Sequence, residues 1–209
     1  MKTVIGVVFS GDTAVKKVLL LLCNGVEIYE AGAFYDVMGW SGAYSDKKVE
    51  VVTTGLQNPV RGTFGIKIIP DVLLAEVEAD DFDALAVPGG FETYGFYEQA
   101  YSQPVASLIR RFDELKKPIA AICVGALPVA NSGILKGRQA TTYHLRDGIR
   151  RKQLAEFGAN VIDKPIIYDG NVITSTSPAT AMGVAFGFLA MLTDDENATR
   201  IQKLMGFIE

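Results

Sequence analysis

Of the side chains in this sequence, Cys123 is the one best placed to act as a nucleophile, because it stands where the apolar stretch in "AAICVGALPVA" (120–130) gives way to small, helix-compatible residues. A nucleophile on a sharp strand-to-helix turn needs small residues two positions either side, and Ala121 and Gly125 fill those positions. The placement aims the first free N–H groups and the positive end of the helix dipole at the sulfur, which lowers a thiol pKa from ~8.5 towards the thiolate range. The competing reading is a structural cysteine, the usual fate of cysteines in apolar strands. Pro128, early in the following helix, removes a donor and bends that helix near its start.

Two more segments end at comparable places. In "AVPGGFETYG" (86–95), Gly89 and Gly90 would let backbone N–H groups approach a reacting oxygen as an oxyanion hole, although the same residues make an ordinary turn. The aromatics of "FETYGFYEQAYSQ" (91–103) are candidates for a pocket lining, with plain core packing as the alternative. In "LLLLCNGVEIYEAGAFYDVMGW" (19–40), Glu27 and Glu30 fall in the first turn of a helix, where acidic residues also serve simply to complement the helix dipole.

The elements that must position these groups follow from the rhythm of the chain. Short apolar runs with β-branched content predict strands at 3–9, 18–23, 49–54, 84–88, 118–123, 139–142, 159–162 and 172–176. Apolar spacing of three and four predicts helices at 27–43, 103–116, 124–132, 148–157, 178–192 and 196–206. Ser177 before Pro178 reads as an N-cap and N1 pair, and "TDDEN" supplies acidic residues to open the last helix. Strands alternating with helices are the pattern of βαβ units around a mostly parallel sheet. Residues 1–17 read as a hairpin arm carrying an extra N-terminal strand. Reactive groups in such a sheet cluster at the carboxyl ends of strands, where all three segments lie.

The 209 residues, 49% of them hydrophobic, predict a single domain over 1–209 with a proper core. The net charge is -4 and the basic residues are scattered, so nucleic acid is not an expected partner. The run "VIGVVF" is shorter than a signal-peptide core and "VLLLLC" is far shorter than a membrane span, so a cytoplasmic location and no membrane partner are expected. One histidine and two separated cysteines do not assemble an ordinary metal site, and neither a metal nor an organic cofactor is expected.

Four motifs in order, "GVEIYEAGAFYDV", "VPGG", "PIAAICVGALPVANSGILKGRQATTYH" and "VITSTSPATAMGVAFGFLAML", resemble the ThiJ/PfpI superfamily over about residues 18–207. The resemblance implies a flavodoxin-like α/β sandwich with helices on both faces, a homodimer, and a cysteine nucleophile. It matches Cys123 to that nucleophile, Glu30 rather than Glu27 to the carboxyl group beside the sulfur, and Gly89 and Gly90 to the oxyanion-side turn. The backbone of Val124 would share in holding the oxyanion.

The departures from the family pattern are as informative. Val124 stands where the protease-like branch carries a histidine, so the peptidase activity of that branch is not expected. Tyr143 occupies the position of another family histidine and His144 falls one place later; in an extended segment that shift reverses the face, leaving either Tyr143 or His144 as the residue facing the site. Leu145 and Arg146 follow, which excludes the His-x-Glu pair of glutamine amidotransferases. If the family's strand order holds, one strand separates those of Cys23 and Cys123 by ~9.6 Å overall, too far for a disulfide. Two functions remain open. One is a cysteine-dependent enzyme acting on a small-molecule carbonyl substrate, as a glyoxalase-type lyase, hydratase or hydrolase. The other is a redox-sensing or stress-response protein in which Cys123 is oxidised to sulfenic or sulfinic acid without turnover.

Overall fold

Continuous apolar runs become the buried strands at the centre of the molecule. A computed structural model describes residues 14–209. Along the chain run β1 (Lys16–Leu22), α1 (Ile28–Tyr44), β2 (Val49–Gly55), β3 (Val60–Arg61), β4 (Lys67–Ile68), β5 (Val72–Leu73), β6 (Ala84–Val87), α2 (Phe96–Ala100) and α3 (Gln103–Glu114). Then come β7 (Ile119–Ala121), α4 (Ala126–Asn131), β8 (Gln139–Ala140), α5 (Ile149–Glu156), β9 (Asn160–Val161), β10 (Ile166–Asp169), β11 (Val172–Ser175), α6 (Ala181–Leu192) and α7 (Asp195–Leu204).

Seven strands form one sheet in the order β10-β11-β7-β6-β1-β2-β5. Every neighbouring pair is parallel except β10 with β11. All residues of β6, β7 and β11 are buried, as are Val18–Leu22 of β1, which is why these strands read as unbroken apolar runs instead of alternating ones. The chain moves one way from β1 to β2 and the opposite way from β6 to β7. Right-handed crossovers therefore put α1 and α3 on opposite faces. Accordingly α1 packs with α6 and α7, Phe34 meeting Phe188 edge-on at 5.7 Å, while α2, α3, α4 and α5 pack in succession on the other face. The predicted α/β architecture is the one observed, and the crossover direction reverses between β1 and β6.

Several elements differ from the sequence expectation. Residues 139–142 and 159–162 supply only the two-residue strands β8 and β9, which pair in parallel with each other outside the main sheet. The added edge strand β10 pairs antiparallel with β11 across a turn at Gly170, whose φ of 59° suits glycine. Between 56 and 83 the chain makes β3, β4 and β5, pieces too short to show a period. Ser177 and Pro178 stand at the N-cap and first position as expected, but of the 3-10 turn Pro178–Thr180 that precedes α6, and the Ser177 side chain makes no capping hydrogen bond. The strand expected at 3–9 lies outside the described residues. No helix among the described residues is long and apolar enough to cross a membrane.

Candidate active site

Three strand ends converge at the reversal of crossover direction, as they do at ligand crevices of open α/β sheets. From β1 the chain turns through Gly25 into α1. Glu27 caps that helix, accepting a hydrogen bond from the Tyr29 N–H at 3.3 Å, so its role is the capping one. Glu30, one turn further on, is fully buried and points inward. From β6 the chain enters the Gly89–Gly90 turn, which is tied to the first loop by Glu27 N–H donating to the Gly89 carbonyl at 2.9 Å and Phe91 N–H donating to the Gly25 carbonyl at 2.8 Å. The third strand, β7, delivers Cys123.

Cys123 opens a 3-10 turn, Cys123–Gly125, with a φ of 57°, in the left-handed region that a side chain other than glycine's rarely occupies. Such a conformation costs on the order of 1–2 kcal/mol and persists where the surroundings over-determine it. Two residues on in the same turn, Gly125 is compulsory: a Cβ there would lie 2.3 Å from the Val87 carbonyl oxygen. The sequence expectation of a nucleophile elbow with small flanking residues thus has a concrete steric origin.

Gly89 donates its N–H to Glu30 Oε2 at 2.6 Å. A Cβ on Gly89 would sit 2.9 Å from that oxygen, so the glycine is what lets the carboxyl approach the turn. The carboxyl also interacts with the Cys123 sulfur, although Oε1 completes no hydrogen bond of ordinary geometry. Burial pushes the Glu30 carboxyl up to about 8, against the opposing pull of the Gly89 N–H and of Cys123. At neutral pH Glu30 therefore holds its proton and can donate it.

Two expectations need correcting. The thiol is not depressed: burial pushes Cys123 up, an ionised Glu30 would push it further, and the Val124 N–H directed at the sulfur only partly opposes them. The magnitudes decide this, since a helix-terminus charge is worth ~0.3–1 kcal/mol, less than one pKa unit, whereas burial shifts a thiol by up to ~3–5 units. Cys123 is 8% exposed. The second correction concerns the oxyanion turn. The Gly89 N–H is already spent on Glu30, which leaves the Gly90 N–H, with no hydrogen bond among the described residues, and the Val124 N–H beside the sulfur.

Tyr143 is half-buried against the core, whereas His144 is exposed, near Asp163, a carboxyl that the Arg151 guanidinium chiefly holds below its usual range. Neither is brought to the sulfur by a hydrogen bond among the described residues. Cys23 is free, and its strand β1 is separated from β7 by β6, the order expected. Burial pushes the Cys23 thiol up to about 12.

Sequence reasoning missed Thr142, whose hydroxyl donates to the Cys123 carbonyl at 2.8 Å; a threonine in a β-like run carries no signal beyond its strand preference. Tyr97 of the flagged aromatic segment lies close enough to Cys123 to feel its charge. The Arg150 guanidinium stacks on the Tyr97 ring at 4.8 Å and binds Glu92 at 2.6 Å. Nothing near Arg150 in the sequence signalled this contact. Two surface cavities, about 470 Å³ beside Leu56 and Leu108 and about 460 Å³ beside Arg61 and Tyr94, contain neither Cys123 nor Glu30. Chemistry rather than cavity size therefore marks the site.

Comparison with known proteins gives this geometry its context. A family model described as "DJ-1/PfpI family" matches residues 16–191. The Drosophila melanogaster protein dj-1beta is 30% identical over 190 residues, covering 90% of this chain and 95% of the relative. The crystal structure of Drosophila melanogaster DJ-1beta superposes with a TM-score of 0.81 at 29% identity, covering 92% of this chain and 98% of that one. A ThiJ/PfpI family protein from Pseudomonas syringae, 20% identical, shares the fold with a TM-score of 0.80 over 94% of this chain and 77% of that one. The sheet and its helical layers are therefore of the flavodoxin-like kind found in these neighbours.

Proposed function

The chain belongs to the DJ-1/PfpI family, and from that premise we propose that it is a cysteine-dependent enzyme acting on small carbonyl compounds, as a glyoxalase-type lyase, hydratase or hydrolase. The reading rests on one observation: a cysteine held in the left-handed region with a buried, proton-bearing carboxyl beside it. Cys123 and Glu30 titrate as a pair, and the reactive form is a minor one of that pair: the thiol has lost its proton to solvent while Glu30 keeps its own. The sulfur adds to the carbonyl carbon, the C=O π bond breaks, and the developing oxyanion meets the Gly90 and Val124 N–H groups. Glu30 passes its proton to that oxygen, giving a hemithioacetal and leaving a carboxylate able to act as base in the next step. Glu30 supplies the acid and base without a histidine, and its burial favours the proton-bearing state.

Methylglyoxal is a suitable probe. Wild-type protein is expected to consume it, Cys123→Ser to abolish consumption, and Glu30→Gln to lower it by ~10²-fold or more. Undiminished consumption by Cys123→Ser would remove the enzyme reading.

The neutral Glu30 also favours a second reading, oxidation of Cys123 without turnover. The thiolate attacks a peroxide, an S–O bond forms, the O–O bond breaks and hydroxide leaves; the Glu30 O–H then donates to the oxidised sulfur. Stepwise oxygen addition at Cys123 under graded peroxide, with no carbonyl turnover, would favour this reading. A thiol that stays reduced while substrate is consumed would eliminate it.

A further inference from the structure

We propose that Thr142 is the positioning residue of the elbow, its hydroxyl fixing the plane of the Cys123–Val124 peptide so that the Val124 N–H is held on the nucleophilic sulfur. The inference rests on the reading of Cys123 as the nucleophile.

A residue with a φ of 57° leaves its own carbonyl pointing where the surrounding chain must accommodate it. The Cys123 carbonyl accepts from the Thr142 hydroxyl at 2.8 Å and from the Ala126 N–H that closes the 3-10 turn. Both lone pairs are thereby engaged. The carbonyl and the following N–H belong to one rigid trans peptide unit and point in opposite directions. Fixing the Cys123 carbonyl from one side therefore fixes the Val124 N–H on the other, and that N–H is directed at the sulfur. A small rotation of this plane would withdraw it.

Thr142 is itself firmly held. It is fully buried, and its neighbour Thr141 donates its N–H to Thr174 Oγ1 of β11 at 3.0 Å. The Ile162 N–H donates to the Ala140 carbonyl at 2.9 Å, tying the same segment to the end of β9. The small β8–β9 pair thus has a task the main sheet does not perform, anchoring a hydroxyl over the elbow. Among the described residues the buried hydroxyls of Thr141 and Ser175 find no hydrogen-bond partner, whereas that of Thr142 lies on the nucleophile's own carbonyl. The titratable groups facing the sulfur are Glu30, Glu27 and Tyr97, and none of them contacts Thr142 through a hydrogen bond.

The test is the pH dependence of Cys123 alkylation by iodoacetamide in the full chain, for wild type, Thr142→Val, Thr142→Ser and Thr142→Ala, with thermal unfolding measured alongside. Thr142→Val keeps the shape and removes the donor. It is expected to move the profile upward by about one pH unit and to slow alkylation at pH 7 about tenfold. Thr142→Ser should restore the wild-type profile to within about twofold. If Thr142→Val does not fold, the same upward shift is required of Thr142→Ala. A Val or Ala profile superimposed on the wild type, or a Ser profile displaced as far as that of Val, overturns the inference while leaving Cys123 as nucleophile. A wild-type Cys123 that reacts no faster than a buried thiol overturns the nucleophile reading and the inference with it.

Discussion

At the scale of single residues, Glu30 ties stability to pH, because folding buries this carboxyl with no cation among the described groups acting on it. Its pKa rises from 4.5 to about 8 on folding. The folded chain therefore binds this proton more tightly than the unfolded one, and the associated stability is full below the unfolded pKa and is lost as the pH rises through about 8. Urea unfolding of wild type and Glu30→Gln at pH 5 and pH 8 should show the wild type losing a few kcal/mol relative to the variant. Parallel stabilities across that range would contradict the burial of an ionisable Glu30. Cys23 provides a second residue-scale prediction. Burial pushes both thiols up, so access and neighbours separate them: Cys123 is 8% exposed with Glu30 and the Val124 N–H acting on its sulfur, whereas Cys23 is 3% exposed. Native protein should therefore take up iodoacetamide at Cys123 first, and Cys23 should react only after denaturation, as read by intact mass. Cys123 and Glu30 were legible in the sequence because strand-end spacing and a family pattern point to them. Thr142 and Arg150 were not, since their roles arise from contacts between residues distant in the chain.

At the scale of elements, the elbow and the last helix make contrasting predictions. Gly125→Ala would force a Cβ to within 2.3 Å of the Val87 carbonyl oxygen, a backbone atom at the carboxyl end of the buried strand β6. The variant should lose ~1–3 kcal/mol of stability and most of its Cys123 alkylation, because the turn must open to admit the methyl group. Asp194 caps α7 by accepting from the Asn197 N–H at 2.9 Å and pairs with Lys47. Asp194→Ala should cost ~1 kcal/mol in urea unfolding and leave Cys123 reactivity unchanged, since α7 lies on the face away from the elbow. The buried parallel strands were legible because burial on both faces demands long apolar runs. The 56–83 excursion and the β8–β9 pair were not, because strands of two residues have no period to read and their pairing is set by neighbours elsewhere in the chain.

At the scale of the whole molecule, the opposed crossovers from β1 and β6 bring three loops together, so the sheet topology itself assembles the thiol, the carboxyl and the turn. We propose that the protein acts as a homodimer; the single chain exposes the large apolar side chains Phe64 and Ile69 at 76% each and Tyr29 at 57%, which a second copy could cover. Sedimentation equilibrium should return twice the chain mass of 22.6 kDa, and the single-chain mass would contradict the dimer. The central claim is that Cys123 and Glu30 form one chemical unit, and the most direct measurement is the alkylation rate of Cys123 against pH in wild type and Glu30→Gln. Coupled groups lose protons in two macroscopic steps, so the account predicts two inflections in the wild type and one in the variant, which keeps a donor but has no proton to give up. Superimposable profiles would contradict it, leaving Cys123 a buried thiol whose reactivity owes nothing to Glu30.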